Sequence, residues 1–468
     1  MEKVSVIIAL HNRVELTLRC LKSLSEFTRH PEWELIVIDN ASGDGTAEAL
    51  KALEGDIKVL TAAENLGYAR ANNWGAMEAS GSLLCFLNND TEVTAGWLKA
   101  LVECLASHPA GAVCGGKLLF PEGTVQHAGV VFDKIDHIGY HIYRGLKREA
   151  PEVNRERKLK AVTGACMLVK RKAFEEAGGF DDEYINGFED IDLCLKIGES
   201  GGEIYYTPRC EVYHHTSASA GRKDYDMQNV ERFRRKWFSK IIPDEDSFLA
   251  EDGYRAEWKG SSCTLRKVTV DIIAPVFSGA QTVETLAENI GRFTGFPNYR
   301  VIFIVSDKSE FQRSREIDRR LRQSQVMEIR AGAGFAAACN SAAEKSEADY
   351  LVFLEENAEI SEGWLTEMVK AAASVNVGAV SSGYCRKIKG RSLLVKRTVF
   401  NGLDGFDEGF LGRLAEVDLF FRIADSGLEV LSDLDYSSFF REGVFIIDHE
   451  KIESDRARFI DKWRHKLL

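Results

Sequence analysis

The sequence predicts an α/β protein with two tandem domains, each built on a mostly parallel sheet covered by helices. Two observations lead to this prediction: apolar strands alternate with helical patterns, and the second half of the chain repeats the first. A chain of 468 residues is also too long for one ordinary core. With 45% hydrophobic and 28% charged residues, the composition is that of a folded globular protein.

Strand and helix patterns alternate through the first half of the chain. The strand patterns are "VSVIIAL", "WELIVIDN", "IKVLTA" and "LLCFLNND", and the helical patterns between them are "VELTLRCLKSLSEF", "GTAEALKAL" and "GYARANNWGAMEAS". Strands joined by such helices form parallel sheets that are buried on both faces. Ligands of these sheets bind at the carboxyl ends of the strands.

The repeat sets the domain boundaries. The segment "CFLNNDTEVTAGWLKALV" aligns with "VFLEENAEISEGWLTEMV", so that Asp90 falls on Asn357, and "LVKRKAF" later aligns with "LVKRTVF". The offset decreases from 267 to 226 between these matches, so the second copy lacks about 41 residues there. We predict a catalytic domain at 1–242, an irregular charged linker at 243–267 and a degenerate copy at 268–468.

Bulk properties exclude several classes of protein. A net charge of −12 argues against a nucleic-acid protein with a broad basic face. Ten cysteines without a CxxC pair predict buried free thiols in a reducing compartment, hence a cytoplasmic protein. No apolar run reaches the roughly 20 residues that span a bilayer, so membrane contact would be peripheral. The basic segments at 144–160 and "RFRRKWF" are candidates for contact with an anionic membrane or a lipid-diphosphate acceptor, or are solvated helix faces.

Polar side chains follow four strands of the first copy, where a parallel sheet binds its ligands. They are Asn12, Asp39 with Asn40, Asn65, and the run Asn88, Asn89 and Asp90. Each residue alone could serve a turn or a helix cap. As a set they indicate a nucleotide diphosphate, with its charge shared by the helix that opens at "NLGYA" and by a divalent cation on Asp90.

Six segments together carry a family resemblance over residues 4–237. They are "VSVIIALHN", "LIVIDNASGDGT", "NLGYARANNWG", "FLNNDTEV", "TGACMLVKRKAFEEAGGFDDEYINGFEDIDLCLKI" and "VYHHTSAS". This combination resembles the inverting glycosyltransferases of GT-A fold, particularly the rhamnosyltransferase-like branch. The resemblance implies two tandem GT-A domains of α/β/α architecture. Two departures from the family pattern are Ala9, Leu10 and His11 in the first motif, and Asn88 in place of the first Asp of the metal motif.

The resemblance also assigns roles to residues. Asp39 would contact the nucleobase, the 88–90 segment would be the metal-binding DXD equivalent, and Asp190 would be the catalytic base assisted by Glu189. Asp90 and His214 would hold Mg or Mn. The expected nucleotide-sugar-binding residues are Asn12, Asp39, Asn65, Gly67, Arg70, Asn73, Asn88 and Asn89. We therefore expect transfer of a sugar from a dTDP-rhamnose-like or UDP-sugar donor to a glycan or lipid-linked saccharide in surface polysaccharide synthesis.

The second copy changes most of these positions and keeps the packing residues. The replacements are Asn65 by Gly332, Arg70 by Ala337, Asp90 by Asn357, Glu189 by Ala415, Asp190 by Glu416 and His214 by Phe440, with Asp39 falling on Val305 or Ser306. We predict a second domain without transferase activity that serves as an interface for oligomers, a scaffold or an acceptor-positioning element. Two alternatives stay open: a second active site using Glu355, Glu356 and Glu359, and a non-catalytic carbohydrate- or partner-binding protein.

Overall fold

A computed structural model describes residues 2–52, 57–215, 226–259, 262–306, 321, 323–330, 332–385, 387–410, 414–432 and 452–467. The chain divides into two compact units, Met1–Glu245 and Asp246–Leu468, which are called the first and second unit below. Among the described residues, no helix combines the length and the apolar character needed to cross a membrane. All ten cysteines fall in the described part of the chain, and all are free thiols, as predicted.

The first unit has a sheet covered by helices on both faces. Its strands are β1 Val4–Leu10, β2 Trp33–Asp39, β3 Ile57–Thr61, β4 Leu83–Leu87, β5 Thr91–Val93, β6 Gly111–Leu119, β7 Val125–His127, β8 Val130–Phe132, β9 Gly139–His141, β10 Arg157–Leu159, β11 Cys166–Lys170 and β12 Glu203–His214. Its helices are α1 Val14–Phe27, α2 Thr46–Lys51, α3 Gly67–Glu78, α4 Trp97–Ser107, α5 Arg171–Glu176, α6 Glu189–Glu199 and α7 Asp226–Trp237. The sheet order is β10-β12-β6-β11-β4-β1-β2-β3, with β11 antiparallel to its neighbours β4 and β6.

The second unit repeats this topology. Its strands are β13 Tyr254–Lys259, β14 Ser262–Lys267, β15 Val270–Pro275, β16 Tyr299–Val305, β17 Ser324–Glu328, β18 Tyr350–Leu354, β19 Glu359–Ile360, β20 Val377–Ser381, β21 Ile388–Lys389, β22 Ser392–Lys396 and β23 Glu429–Leu431. Its helices are α8 Glu245–Glu251, α9 Ala280–Phe293, α10 Phe335–Ala343, α11 Trp364–Ala372, α12 Arg397–Gly402, α13 Leu414–Asp425 and α14 Ile452–Leu467. The order β17-β16-β15-β18-β22-β20-β23 matches β3-β2-β1-β4-β11-β6-β12, with the same antiparallel strand, β22. The predicted α/β fold with a mixed, mostly parallel sheet is confirmed in both units.

Strand register identifies the counterpart of Asp39. In the first unit Ala9 pairs with Ile38, and Asp39 follows at the end of β2. In the second unit Pro275 pairs with Ile304, and Val305 follows at the end of β16. The second unit therefore has a buried aliphatic side chain where the first has a carboxylate.

The stretch that the sequence predicts to be an irregular linker is regular in most of its length. Helix α8 covers its first part, and β13 and β14 form an antiparallel hairpin across the rest. The first hairpin strand has the two-residue alternation that is typical of a β-strand, because Tyr254, Ala256 and Trp258 alternate with charged residues. Ser262 and Cys263 therefore belong to a hairpin strand.

The two cores are built from equivalent aromatic residues. Phe86 packs on Phe180 with ring centroids 4.8 Å apart, and Phe353 packs on Phe406 at the same 4.8 Å. Trp97 is fully buried and donates its indole N–H to Thr28 Oγ1 at 3.2 Å, as expected for a core residue. Burying each such side chain contributes about 1.5–3 kcal/mol, so these pairs stabilise the repeated fold.

Candidate functional site

The ends of β4 and β12 bring Asp90 and His214 together. Strand β5 pairs antiparallel with the end of β12, so that Thr91 lies opposite His214, and the amide of His215 donates to the Asp90 carbonyl at 2.9 Å. His214 Nε2 lies 3.0 Å from Asp90 Oδ1 and 3.4 Å from Asn88 Nδ2. Asp90 is only 7% exposed. Three side chains that the sequence assigns to the metal and donor site are thus adjacent.

Gln126, at the centre of β7, fixes the orientation of the His214 ring. Its Nε2 donates to the His214 carbonyl at 3.3 Å, which leaves its Oε1 facing His214 Nδ1 at 2.6 Å. A carbonyl oxygen only accepts, so Nδ1 carries the proton and the lone pair of the neutral ring is on Nε2. That lone pair faces the Asp90 carboxylate, an arrangement that favours a cation or a proton between them.

Two further histidines lie behind this pair, in the segment that the second unit lacks. His127 is fully buried and packs edge-to-face on His141, with ring centroids 4.7 Å apart. Burial, followed by the nearby His141 and His214, lowers the pKa of His127 well below its usual value. Burial likewise lowers the pKa of His141, opposed by the charge of Asp190. Both rings are therefore neutral at neutral pH.

Asp190 lies in the first turn of α6 and faces the segment before β11. Its Oδ2 accepts the Gly164 amide at 2.8 Å, and its Oδ1 accepts the Ile191 amide at 2.8 Å. The Tyr68 hydroxyl donates to the Gly164 carbonyl at 3.0 Å. Burial raises the pKa of Tyr68 well above its usual value, and the charges of Glu189 and Asp190 raise it further. Tyr68 is therefore a neutral hydrogen-bond donor at this site. The sequence does not reveal this role, because nothing in it distinguishes Tyr68 from a core tyrosine.

The backbone that leads into α6 is held in an unusual conformation. Asn186 and Phe188 have φ of 54° and 74°, a region that non-glycine residues rarely adopt. The Oε2 atom of buried Glu189 accepts the Gly187 amide at 2.6 Å, so this carboxylate shapes the turn. Strained turns that are held by several contacts occur at functional sites, where they fix the position of a side chain. Here the turn positions Asp190.

Asp192 belongs to the fold rather than to the cleft. It is fully buried, accepts the Trp237 indole N–H at 2.8 Å and pairs with Lys236 at 2.6 Å. Asp418 makes the equivalent contacts in the second unit, to Trp463 at 2.9 Å and Lys462 at 2.8 Å. Asp192 therefore links α6 to α7 in the first unit.

The loops after β1 and β2 are tied to each other by the predicted donor-site residues. Asp39 is buried, and its Oδ1 accepts the Ser42 amide at 3.0 Å. Asn12 Oδ1 accepts the Gly43 amide at 2.8 Å, and the Asn12 amide donates to Ser42 Oγ at 2.8 Å. These contacts hold Asn12 and Asp39 in two loops that are joined to each other.

Asn65 and Asn40 build the turn that opens α3. Asn65 Oδ1 accepts the Gly67 amide at 2.9 Å and Asn40 Nδ2 at 3.0 Å. Asn40 Oδ1 in turn accepts the Leu66 amide at 2.7 Å. Gly67 has a φ of 75°, which other residues adopt only with strain. The two asparagines therefore connect the ends of β2 and β3.

Two predicted donor-site residues, Asn73 and Asn89, form hydrogen bonds outside the expected site. Asn73 donates to the Phe180 carbonyl at 2.9 Å and accepts the Phe180 amide at 3.0 Å. Asn340 holds Phe406 in the same way at 2.9 Å each, so this contact belongs to the repeated fold. Asn89 donates to Thr17 Oγ1 on α1 at 2.9 Å.

Arg70 lies on α3 and forms an ion pair with Asp182 at 3.0 Å, in which both side chains are at least half exposed. An exposed pair of this kind contributes about 0–1 kcal/mol. It therefore restrains Arg70 only weakly, and the side chain can exchange Asp182 for another anion.

The second unit differs clearly at the position that corresponds to Asp90. Asn357 is exposed where Asp90 is buried, and Phe440, the counterpart of His214, lies outside the described residues. Glu359 forms an exposed ion pair with Lys389 at 3.3 Å. Within the part of the chain that the structure describes, the single cluster of three potential metal ligands is Cys104, His108 and Glu156 in the first unit.

The basic segments are largely paired inside the first unit. In the 144–160 segment Arg148 pairs with Glu211 at 2.7 Å and Lys160 with Asp244 at 2.6 Å. On α7, Arg232 and Lys236 contact Asp181 at 3.0 and 3.2 Å. These contacts give the basic groups a role within the fold.

Comparison with known proteins matches both units to one family. The family model of Glycosyl transferase family 2 matches residues 5–178 and 271–415, which is more than half of the chain. The O-antigen biosynthesis protein RfbC of Myxococcus xanthus is 35% identical over 265 residues, covering 55% of this chain and 19% of that protein. An N-acetylglucosaminyl-diphospho-decaprenol L-rhamnosyltransferase of Mycobacterium tuberculosis is 30% identical over 226 residues, covering 44% of this chain and 73% of that protein.

Solved structures resemble the chain more distantly. GalNAc-T7 with UDP, GalNAc and Mn²⁺ covers 54% of this chain and 50% of its own at 20% identity, with a TM-score of 0.43. The mannosyltransferase PcManGT from Pyrobaculum calidifontis covers 52% of this chain and 66% of its own at 18% identity, with a TM-score of 0.39. The family assignment depends on the sequence matches, which include both halves of the repeat. The chain therefore belongs to glycosyl transferase family 2.

Proposed function

We propose that the first unit is a metal-dependent, inverting glycosyltransferase. It moves a sugar from a nucleotide-diphosphate donor, dTDP-rhamnose-like or UDP-linked, to a hydroxyl of a glycan or lipid-linked saccharide in surface polysaccharide synthesis. The observation that carries the proposal is the 3.0 Å distance between His214 Nε2 and Asp90 Oδ1. This pair lies at the same edge of the sheet as the loops that contain Asn12, Asp39 and Asn65. The names of the relatives support the choice of donor and acceptor class.

The donor set suits Mg²⁺ or Mn²⁺. A carboxylate oxygen and an imidazole lone pair converge on one point, and Gln126 fixes the imidazole tautomer with that lone pair on Nε2. Asp90 and His214 would hold the ion, with Asn88 beside them. A bound divalent cation stabilises the negative charge that develops on a leaving diphosphate.

Asp190 acts as the general base in this proposal. Backbone amides hold each of its carboxylate oxygens, which orients the group and leaves further lone pairs for an acceptor hydroxyl. Removal of the hydroxyl proton by a positioned base contributes about 10²- to 10⁴-fold to the rate. Attack of that hydroxyl from the face opposite the diphosphate inverts the anomeric centre. Tyr68 and Glu189 are positioning residues for Asp190 and its turn.

The proposal is tested by a donor screen. Purified full-length chain is incubated with Mg²⁺ or Mn²⁺ and a panel of nucleotide sugars, with and without acceptor extracts, and release of nucleotide diphosphate is followed. We expect acceptor-dependent release with one donor, and a loss of about 10²- to 10⁴-fold in Asp190→Ala. Full transfer by Asp190→Ala, or no binding of any nucleotide sugar, would contradict the proposal.

The chain offers a matched test of the metal position. Asp90→Ala removes the carboxylate from the His214 pair, whereas Asn357→Ala changes the exposed counterpart in the second unit. We expect Asp90→Ala to abolish metal-stimulated transfer and metal binding, and Asn357→Ala to retain both. Loss of activity in a folded Asn357→Ala variant would instead mean that the second unit is catalytic.

A further inference from the structure

The second unit keeps a cleft at the place where the first unit has its site. This cleft has a volume of about 290 Å³. Its apolar wall is formed by the rings of Phe277, Phe335, Phe353 and Phe406. Phe335 replaces Tyr68, and Phe353 and Phe406 are the counterparts of core residues in the first unit. The cleft therefore keeps these aromatic positions and loses the hydroxyl of Tyr68.

Charged side chains also line the cleft. Glu355 replaces Asn88, Glu416 replaces Asp190, and Arg391 lies beside them. Glu356 serves the fold, because it accepts the amides of Phe277 and Ser278 at 2.8 and 3.1 Å. Arg391 Nη2 is buried and has no hydrogen-bond partner among the described residues. Buried donors are nearly always satisfied, so an orphaned guanidinium nitrogen at a cleft indicates a missing acceptor.

The lining of this cleft does not suit a nucleotide diphosphate. The positions of Asp39, Asn65, Arg70 and Asp90 are Val305, Gly332, Ala337 and Asn357, so the second unit lacks the donor and metal side chains. Among the described residues, the lining has three carboxylates and one guanidinium, a composition that disfavours a phosphate group. The volume also lies at the small end of the roughly 300–1,000 Å³ range of ligand pockets.

We propose that this cleft binds one uncharged sugar residue of a glycan, without nucleotide and without transfer. Hydroxyl groups donate to the carboxylates of Glu355 and Glu416 and accept from Arg391, which supplies the acceptor that Nη2 lacks. The C–H face of a sugar ring packs on the phenylalanine rings, whose faces are weakly negative. The inference concerns the second unit alone and does not require the first unit to be active.

The test is a titration of the full-length chain with methyl glycosides, in which binding is measured by saturation-transfer NMR. The probes are methyl α-L-rhamnoside, methyl β-D-glucoside and methyl N-acetyl-β-D-glucosaminide, with UDP as a charged comparison. We expect Glu416→Gln and Arg391→Met each to raise the dissociation constant of the bound glycoside about tenfold or more, because each removes a charge-assisted hydrogen bond. Glu362→Gln removes an exposed carboxylate outside the cleft and serves as the charge-matched control.

Asp190→Asn separates this site from the first unit. We expect it to stop transfer while the glycoside signal that depends on Glu416 persists. The inference is overturned if no glycoside binds, if binding is lost in Asp190→Asn but unchanged in Glu416→Gln and Arg391→Met, or if UDP binding is lost in Glu416→Gln. Two variants of different chemistry are used, so a failure of one to fold leaves the other as the test.

Discussion

The side-chain oxygen of Gln126 accepts a hydrogen bond from His214 Nδ1 at 2.6 Å. This contact joins residues 88 positions apart and decides which imidazole nitrogen carries the lone pair. Gln126 lies in the segment that the second unit lacks, so only the first unit has this support for the His214 ring. Hydrogen-bond partners of this kind tune metal sites nearly as strongly as the ligands themselves.

Gln126→Met is therefore expected to weaken metal binding. It removes the acceptor for Nδ1–H at similar volume, so the His214 ring can rotate or change tautomer. We expect Mn²⁺ affinity, measured from the free-ion signal in electron paramagnetic resonance, to fall about 10- to 100-fold.

Gln126→Glu is the conservative comparison, because it keeps an acceptor at the same place and is expected to retain most of the affinity. Equal Mn²⁺ affinity in Gln126→Met and wild type would show that Gln126 only packs. Transfer measured at saturating Mn²⁺ should recover in Gln126→Met if its defect lies in metal binding.

The fold was predictable because the same pattern of strands and helices occurs in both halves of the sequence. Equivalent residues such as Phe86 and Phe353 survive in both copies since the sheet and its helices need them. What the sequence could not supply was the register at the end of β16, which identifies Val305 as the counterpart of Asp39. The hairpin at Tyr254–Lys267 was also missed, because its short strands have no partner in the first copy.

The site was predictable where residues follow strands and less so elsewhere. Asp90 and His214 meet because β5 pairs with β12, as expected for strand ends on one edge of a sheet. Asn73 shares its helix with Arg70, and only the contact to Phe180 identifies it as a packing residue. Gln126 lies outside the motif segments and Tyr68 lies inside one, "NLGYARANNWG". The roles of both depend on distances that a sequence does not contain.

The equivalent tryptophan–aspartate hydrogen bonds predict equal losses of stability in the two units when either is removed. Trp237→Phe and Trp463→Phe each remove the N–H that a fully buried aspartate accepts. We expect each variant to lower the free energy of unfolding of its own unit by about 1–3 kcal/mol, measured by chemical denaturation. Met227→Gln, at a side chain 79% exposed on the same helix α7, should stay within about 0.5 kcal/mol. Unequal losses would mean that the two contacts are not equivalent.

The buried histidines predict loss of stability on mild acidification. Burial lowers the pKa of His127 well below the value of about 6.5 that it has in the unfolded chain. Below that pH the unfolded chain binds more protons, so the free energy of unfolding falls as pH decreases, by up to about 1.4 kcal/mol per pH unit. His141 contributes in the same direction, since burial lowers its pKa too.

His127→Phe removes one of these groups. Its stability, measured by urea denaturation between pH 7.5 and 5.5, should depend less steeply on pH than that of the wild type. A variant that is destabilised equally at every pH, giving curves parallel to those of the wild type, would show that His127 is not the group that titrates.

The close packing around Gly164 allows a test of how sensitive the activity is to the position of Asp190. A Cβ at this glycine would lie 2.8 Å from the Tyr68 hydroxyl and 3.2 Å from Asp190 Cβ, so one of them must move. We expect Gly164→Ala to lower kcat about 10- to 100-fold, since small displacements of a catalytic group are costly, while the KM for the donor stays near the wild-type value. Gly402→Ala, where a Cβ meets no atom within 4 Å, should leave transfer unchanged and stabilise α12 by about 0.4–1 kcal/mol. A wild-type kcat in Gly164→Ala would mean that the contact between Gly164 and Asp190 does not set the position of the base.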